Sequence, residues 1–386
     1  MTITFFFNYL NHHQVLVADA MYEMIGNDFH FVATCPRDPK ELKGGLDYSN
    51  RPYCILSTES ENGLCEAHRL NIESDVCVFG AGNLNWENKR SKTNKLSFEV
   101  SERWLKKGWR NVFSPRLIKW WLLYQFKLRK KPFYRLCCSA FTAEDDVKLG
   151  CYKGYHYKWG YFTKVEENYV EASDAVVSTK GKVHILWCAR FLLLKHPELV
   201  IELAAKLKKD GYDVAIDMYG DDGNMAPHDK SYRRKDLEAL IDRYGVGDIV
   251  TLKGNRPNDE ILKAMQEGDI FLFTSDRLEG WGAVANESMA NGCVLVSSDA
   301  IGSTRYLVKH KETGMVFLSC DLDSLYEQVK YLLDNPDERK RISEAGRESM
   351  IKVWSPANAA KSLLQLIEDI KAGRETSIAE GPCSRA

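Results

Sequence analysis

The fold is decided by the stretch Glu279-Gly280-Trp281-Gly282-Ala283-Val284-Ala285-Asn286-Glu287. Its Gly-Trp-Gly turn lets the backbone come close to a ligand, because glycine has no Cβ. The residues after the turn predict the start of a helix, whose first N–H groups are suited to a phosphate. The two flanking glutamates offer carboxylates to ligand hydroxyl groups. These features together predict a site for a phosphate-bearing, hydroxyl-rich ligand.

Short apolar runs alternate with helical patterns on both sides of this stretch, which is typical of a parallel α/β architecture. The second half predicts strands at His184–Cys188, Asp213–Tyr219, Ile249–Leu252, Ile270–Phe273 and Val294–Ser297. The first half predicts strands at Ile3–Tyr9, His30–Thr34, Tyr53–Ser57, Asp75–Phe79 and Leu136–Ala140. Ligands of such sheets bind outside the carboxyl ends of the strands. Because Glu279 closely follows a predicted strand, the opening stretch should lie at that edge.

Length and composition restrict the class of protein. The chain has 386 residues and a formal net charge of −1, which predicts two or three domains and no overall field for nucleic acid. Its 11 cysteines form no Cys-x-x-Cys pair, which disfavours a zinc site or disulfide framework and favours a reducing cytosol. No apolar run reaches the length of a transmembrane helix. No Asp-x-Asp pair follows a predicted strand where a metal would bind, so we expect none.

A second motif supports the first. It reads His184-Ile185-Leu186-Trp187-Cys188-Ala189-Arg190, followed by Lys195 and His196-Pro197-Glu198. With the Glu279–Glu287 stretch, this arrangement resembles the signature of family 4 retaining glycosyltransferases of the GT-B fold. The resemblance is strong over residues 180–320. It implies an α/β protein with two doubly wound, Rossmann-like domains that face each other across a cleft.

The resemblance also predicts a domain organisation. We expect an acceptor-binding domain over residues 1–165, a linker over 166–182 and a nucleotide-sugar-binding domain over 183–355. A helix over 356–372 is placed to cross back to the first domain. The polar composition after it predicts a disordered tail over 373–386.

Charge explains why such residues would serve a nucleotide-sugar donor, here a UDP or GDP sugar. Negative charge grows on the leaving diphosphate as the glycosidic bond breaks, and Arg190 and Lys195 could stabilise it in place of a metal. The resemblance implies that Glu279 binds hydroxyls of the donor sugar and Glu287 those of the ribose. The other implied donor-binding residues are Gly254 and Asn255 near the base, and Gly280, Trp281, Gly282 and Ala283 at the turn.

Each of these residues also has an ordinary structural interpretation. An Arg-x4-Lys pair at a strand–helix junction is often a solvated helix start. Paired glutamates on a helix are usually surface charges. The occurrence of all the pieces in the expected order favours the functional interpretation.

The loop after the first predicted strand is a ligand-facing position in this class of fold. It contains His12 and His13, where many members of the family have glycines. These histidines could bind a phosphate or an acceptor hydroxyl, or they could simply be solvated. No general base can be assigned from the sequence.

Residues 103–135 contain eleven Lys or Arg, four tryptophans and no Asp or Glu. Basic residues interleaved with tryptophans suit an anionic membrane surface, where aromatic rings lie at the headgroup level. The alternatives are tryptophans buried in a core beneath solvated lysines, or a nucleic-acid surface, which the donor motif argues against. The residues assigned to this surface are Lys106, Lys107, Trp109, Arg110, Lys119, Trp120, Trp121, Lys127, Arg129, Lys130 and Lys131.

The sequence therefore predicts a retaining, metal-independent hexosyltransferase with a nucleoside-diphosphate sugar as donor. The predicted acceptor is a glycan or a lipid-diphosphate-linked glycan, in surface polysaccharide synthesis such as that of lipopolysaccharide or capsule. The predicted location is the cytoplasm, at the inner face of the cell membrane. Two alternatives remain: a nucleotide-sugar epimerase on the same fold, and a non-catalytic partner that binds nucleotide sugar.

Overall fold

The computed structural model describes residues 1–36, 48–80, 82–165, 181–222 and 231–386. The chain divides into two compact units. The first unit combines Met1–Thr163 with Val353–Ala386, and the second is Lys164–Lys352. Apart from Gly181 and Lys182, the predicted linker at 166–182 lies outside the described residues.

The first unit is built on a parallel sheet of seven strands. They are β1 (Ile3–Phe7), β2 (Phe29–Ala33), β3 (Cys54–Leu56), β4 (Val76–Gly80), β5 (Leu96–Ser101), β6 (Phe133–Cys137) and β7 (His156–Lys158). Their spatial order is β3-β2-β1-β4-β5-β6-β7, and Phe5 of β1 pairs with Phe31 on one side and Val78 on the other. The order reverses between β1 and β4, which creates a topological switch point at their carboxyl ends.

The sequence pattern does not predict β5 or β7. Strand β5 reads Leu-Ser-Phe-Glu-Val-Ser, yet all six residues are buried. Alternating polar residues normally indicate a solvated face, so the strand is hidden from pattern analysis. Burial of Glu99 is tolerated because it forms an ion pair of 2.6 Å with the buried Arg135. The strand expected at Leu136–Ala140 begins earlier, at Phe133.

Helices cover the first sheet. They are α1 (Val15–Ile25), α2 (Glu61–Glu73), α3 (Leu84–Arg90), α4 (Pro115–Leu123) and α5 (Thr142–Lys148). A 3₁₀ segment, Gly108–Phe113, precedes α4, and a π-helical turn, Tyr124–Leu128, continues it. The core beneath α4 is aromatic and contains Phe6, Phe79, Trp120, Tyr124 and Tyr152.

The second unit repeats this design with a parallel sheet of six strands. They are β8 (Val183–Cys188), β9 (Val214–Tyr219), β10 (Val250–Gly254), β11 (Ile270–Phe273), β12 (Val294–Ser298) and β13 (Met315–Phe317). Their order, β10-β9-β8-β11-β12-β13, matches that of the first six strands of the other unit. The switch point here lies between β8 and β11.

Seven helices of the second unit are described. They are α6 (Pro197–Lys209), α7 (Arg234–Tyr244), α8 (Asn258–Glu267), α9 (Val284–Ala290), α10 (Thr304–Leu307), α11 (Leu322–Asp334) and α12 (Pro336–Lys352). Pro197 occupies the first turn of α6, where its missing N–H costs no hydrogen bond. The apolar core is aliphatic and includes Ile185, Ile216, Val294 and Leu325.

The chain ends on the first unit. Helix α13 (Pro356–Lys371) starts after Ser355, whose hydroxyl accepts the Asn358 N–H at 3.3 Å, and it packs against α1. The expectation of a disordered tail over 373–386 is wrong. Cys383 is fully buried, and the backbone of Lys158 bonds to Cys383 and Ser384 at 2.7 and 2.8 Å. The polar tail is ordered because its backbone pairs with an edge strand.

In the part of the chain that the structure describes, no helix has both the length and the apolar content needed to cross a bilayer.

Candidate functional site

The switch point of the second sheet brings together residues from two distant motifs. Lys195 follows β8, Glu279 follows β11, and the ammonium group of Lys195 contacts the Glu279 carboxylate. The Ser275 hydroxyl donates to the same carboxylate oxygen at 3.0 Å. The side chains of Lys195 and Glu279 are 16% and 13% exposed. The pair is therefore largely shielded from water yet retains an accessible side.

The backbone around Lys195 is fixed by a short hydrogen-bond chain. The Trp187 indole donates to the Thr274 hydroxyl at 2.9 Å, and that hydroxyl donates to the Lys195 carbonyl at 2.6 Å. Because Trp187 and Thr274 are buried, these bonds are protected from water. They hold the loop after β8 against the end of β11.

His196 adds a cation that the sequence motif contains but does not explain. It adopts a left-handed conformation with φ of 50°. Its Nε2 lies 3.6 Å from Asp276 and its Nδ1 lies 2.6 Å from Glu198. The carboxylates of Asp276, and then of Glu198, raise the pKa of His196 to about 10. His196 is therefore positively charged at neutral pH, beside Lys195.

The Gly-Trp-Gly turn requires its second glycine. Gly282 has φ of +76°, and a Cβ there would lie 2.2 Å from the Phe273 ring. The Trp281 side chain points into the unit, so the predicted approach of a donor to this turn is left to the backbone. Trp281 is fully buried and its indole donates to Asn286 at 2.8 Å. Its ring shapes the turn from inside, while Gly280 and Ala283 flank it as backbone positions.

Glu287 lies on α9 near the end of β8. Burial raises the pKa of its carboxyl group. Burial also raises the pKa of the Cys188 thiol to about 12, with Glu287 and Lys195 acting on it in opposite directions. Glu287 and Lys195 therefore both act electrostatically on the thiol at the end of β8.

The other predicted donor residues lie along the same edge of the sheet. Gly254 ends β10, two strands from β8, and its carbonyl accepts the Gly220 N–H at 2.9 Å. Asn255 and Arg190 are exposed. Within the described ranges, Arg190 forms no ion pair, and no cluster of three or more His, Cys, Asp or Glu is arranged to hold a metal ion.

The first unit has a cavity of about 460 Å³ at its own switch point. It is lined by the carboxyl ends of β1, β4 and β5 and by the segment after β5. Arg103, Trp104 and Arg116 line it, although no sequence motif assigns them to a ligand site. Arg103 pairs with Asp145 through two contacts of 3.1 Å, and the Arg116 guanidinium lies 5.8 Å from the Trp104 ring centroid.

The two candidate histidines lie beside this cavity. The rings of His12 and His13 are 3.8 Å apart, and the His13 ring stacks on Tyr161 at 4.8 Å. Tyr161 lines the cavity and donates to Glu102 at 3.0 Å. The structure therefore connects His13 to the cavity through Tyr161.

The predicted membrane surface contains residues with other roles. Trp120 is fully buried and its indole donates to Glu99 at 2.8 Å, so its assignment to the surface is wrong. Lys106 lines the cavity and pairs with Glu102 at 2.5 Å. Lys131 is partly buried and donates to Asn94 at 2.6 Å. The other predicted basic residues are exposed, as are Trp109 and Trp121.

Comparison with solved structures identifies the fold class. The apo form of the lipopolysaccharide outer core galactosyltransferase WaaB superposes with a TM-score of 0.69 at 13% identity, covering 96% of this chain and all of that one. HepE from Anabaena, in complex with UDP, gives 0.67 at 12% identity with the same coverage. The protein therefore has the GT-B fold of glycosyltransferases, and the predicted fold class of two Rossmann-like units is confirmed.

Sequence comparison shows that part of the chain is similar to known glycosyltransferases. Residues 171–349 match the family described as glycosyl transferases group 1. The chain is 30% identical over 189 residues to the alpha-D-kanosaminyltransferase of Streptomyces kanamyceticus, and 27% identical over 199 residues to the D-inositol 3-phosphate glycosyltransferase of Corynebacterium urealyticum. These matches cover 49% and 51% of this chain and 44% of each relative. The chain thus spans less than half the length of these relatives.

Proposed function

We propose that this protein is a glycosyltransferase that moves a hexosyl residue from a nucleoside-diphosphate sugar to a hydroxyl group of a glycan or lipid-linked acceptor. The observation that carries the proposal is the Lys195–Glu279 pair at the switch point of the second sheet. Ligands of open α/β sheets bind there. A cation fixed at this position can meet a diphosphate, and a carboxylate beside it can accept sugar hydroxyls.

The chemistry follows from where charge develops. As the bond between the anomeric carbon and the diphosphate breaks, the electron pair leaves with the diphosphate. Lys195, protonated His196 and the exposed Arg190 supply positive charge at that edge. A preorganised cation stabilises such a leaving group without the reorganisation that water would need. Glu279 assists by restricting the flexible Lys195 side chain to one place.

We further propose the mechanism that the family 4 resemblance implies. The acceptor oxygen attacks the anomeric carbon on the face from which the diphosphate departs, and its proton passes to a diphosphate oxygen. The anomeric configuration is then retained, and no metal is needed. Glu287 would bind the ribose, with Gly254 and Asn255 near the base. Because HepE was solved with UDP, a UDP sugar is the first donor to test, and a GDP sugar the second.

The acceptor is proposed to enter the cavity of the first unit, near His12 and His13. We also propose that the protein acts in surface polysaccharide synthesis, at the cytoplasmic side of a membrane. This role is supported by the basic, tryptophan-rich segment and by the fold shared with WaaB.

The proposal can be tested by incubating the protein with labelled UDP and GDP sugars and lipid-diphosphate-linked acceptors. A new glycosidic bond, detected by mass spectrometry, is the expected result. NMR of the product should show the anomeric configuration of the donor, and added chelator should leave the rate unchanged.

Two other outcomes would contradict the proposal. Epimerised donor without a new bond would favour a nucleotide-sugar epimerase. Donor binding without turnover on any acceptor of the panel would favour a non-catalytic partner. Calorimetry with free UDP and GDP distinguishes that second outcome from a protein that does not bind nucleotides.

A further inference from the structure

The segment before and along α4 exposes an unusual amount of apolar surface. Fifteen large apolar side chains are exposed among the described residues, and six of them fall within residues 109–126. Three are strongly exposed: Trp109 at 62%, Phe113 at 80% and Phe126 at 79%. Single exposed apolar residues are normal, but a concentration of them marks an interaction surface.

Helix α4 and its π-helical turn have two faces. One face holds Leu117, Trp120, Tyr124 and Leu128, which are buried in the core of the unit. The other face presents Ile118, Leu122 and Phe126, which follow each other at intervals of four residues and are exposed. Residues spaced in this way lie on one side of a helix. The exposed apolar residues are therefore not part of the core of this unit.

The charge around these residues has one sign. Between residues 103 and 135 the chain contains no acidic residue. Its exposed basic residues are Lys107, Arg110, Arg116, Lys119, Lys127, Arg129 and Lys130. A segment that combines exposed apolar side chains with basic residues and contains no acidic residue suits a bilayer, in which negative headgroups cover an apolar layer.

We propose that residues 107–130 form a docking face for an anionic lipid bilayer. Trp109, Phe113 and Phe126 would enter the boundary between headgroups and acyl chains, and the lysines and arginines would meet the lipid phosphates. A second copy of the chain would bring two positive surfaces together, which like charges oppose. A nucleic acid would leave the aliphatic residues of this face without partners.

The inner side of the same segment lines the cavity of the first unit. Trp104, Asn111, Ser114 and Leu117 belong to its wall. Docking through the outer side would therefore hold this cavity close to the lipid headgroups. This consequence rests on the proposed transfer activity, and it identifies the acceptor as a lipid-linked molecule.

The docking face can be tested by co-sedimentation of the full chain with vesicles of phosphatidylcholine and phosphatidylglycerol, against pure phosphatidylcholine. We expect binding to the anionic vesicles that weakens as salt rises, because salt screens exposed charges. The triple variant Trp109→Ser, Phe113→Ser, Phe126→Ser should bind at least about tenfold more weakly. The control Met24→Ser, Leu64→Ser, Ile72→Ser removes three exposed apolar residues elsewhere on the same unit, each 42–44% exposed, and should bind like the wild type.

A second pair of variants tests the charge. Arg110→Gln, Lys119→Gln, Lys130→Gln should also lower affinity for anionic vesicles by about tenfold or more, because each basic residue contributes separately. The control Lys209→Gln, Lys235→Gln, Lys361→Gln removes the same charge from other surfaces and should have little effect. Circular dichroism confirms that each variant is folded.

Any of four results would overturn the docking face. The first three are no sedimentation with anionic vesicles at low salt, equal loss in the test and control variants, and a dimer in light scattering that the aromatic variant abolishes. Tighter binding to a single-stranded oligonucleotide than to vesicles would also overturn it. Transfer to a short water-soluble acceptor, measured in parallel, separates these results from failure of the proposed activity, because it does not require the docking face.

Discussion

The two units share a strand order but place their charged side chains differently. In the first unit Glu87, Arg90, Glu99, Arg135 and Asp146 are all at most 1% exposed. In the described part of the second unit no Asp, Glu, Lys or Arg is buried to this extent, and the buried polar residues there are Ser, Thr and Asn. In the second unit the Lys195–Glu279 pair, with side chains 16% and 13% exposed, lies instead at the carboxyl edge of the sheet.

The two units therefore contain two kinds of ion pair: one that is sealed in the core and one that a ligand could reach. Arg135 is held by Glu99 at 2.6 Å and Asp146 at 2.8 Å, under a layer of aromatic rings. Lys195 and Glu279 form a comparable pair but keep a solvent-facing side. A buried pair of the first kind contributes specificity to the core, and removing one partner leaves a charge with no compensation. In the partly exposed Lys195–Glu279 pair, either side chain can exchange its partner for a ligand group.

The largest effect should come from breaking the buried network. Arg135→Met leaves Glu99 and Asp146 buried without their cation, so the free energy of unfolding should fall by about 3–5 kcal/mol. Urea denaturation measures it. The control Arg129→Met lies on the exposed part of the same segment and should change stability by less than about 0.5 kcal/mol. Equal stability of the two variants would show that the buried network is dispensable.

The next effect concerns turnover. Lys195→Ala should lower kcat by about 10²–10³-fold, because the charge on the leaving diphosphate is largest in the transition state. The donor KM should change much less. Lys209→Ala, an exposed lysine on α6, is the control and should behave like the wild type. A folded Lys195→Ala protein with normal turnover would remove Lys195 from the mechanism.

A smaller effect is expected at the carboxylate partner. Glu279→Gln keeps the shape of the side chain but weakens its hydrogen bond to a sugar hydroxyl, so kcat/KM for the donor should fall about tenfold. Affinity for free nucleoside diphosphate, measured by calorimetry, should stay close to that of the wild type. A large loss of that affinity would instead place Glu279 in the diphosphate site.

The smallest effect is a gain in stability. Both carboxylate oxygens of Glu87 are buried without a hydrogen-bond partner among the described residues, and burial raises its pKa well above 4.5. A raised pKa means that the folded state binds the proton more tightly than the unfolded chain does. The contribution of Glu87 to stability is therefore greatest below pH 4.5 and is lost as the pH rises.

Glu87→Gln removes the ionisable group and should raise the free energy of unfolding by about 1 kcal/mol at pH 7. The two proteins should become equally stable toward acid pH. Urea denaturation at several pH values measures the difference. A gap that stays constant across these pH values would contradict the assignment of the raised pKa to Glu87.

Local motifs explain why much of the second unit could be predicted. Lys195 and Glu279 are 84 residues apart, but each follows a strand that its apolar run reveals. A parallel sheet brings the ends of its strands to one edge, so the two motifs predict a common site. The positive charge of His196 could not be predicted, because it depends on Asp276 from another loop.

Two features of the first unit could not be predicted, for the opposite reason. Strand β5 is hidden by Glu99, whose burial depends on Arg135 from the next strand. The tail after Gly373 has a disordered composition but pairs with β7. In both cases the deciding partner is distant in sequence, and its identity is not encoded in the local pattern.

The α/β class, the alternation of strands and helices and the proposed donor motifs can be predicted from the chain alone, because hydrophobic periodicity and turn residues act locally. Which aromatic residues of the basic segment are buried can be seen only in the folded protein. Trp120 and Trp121 are neighbours in the chain, yet Glu99 accepts the indole of Trp120 inside the core while Trp121 stays exposed. Burial of a side chain depends on which distant groups surround it, and only the folded chain brings those groups together.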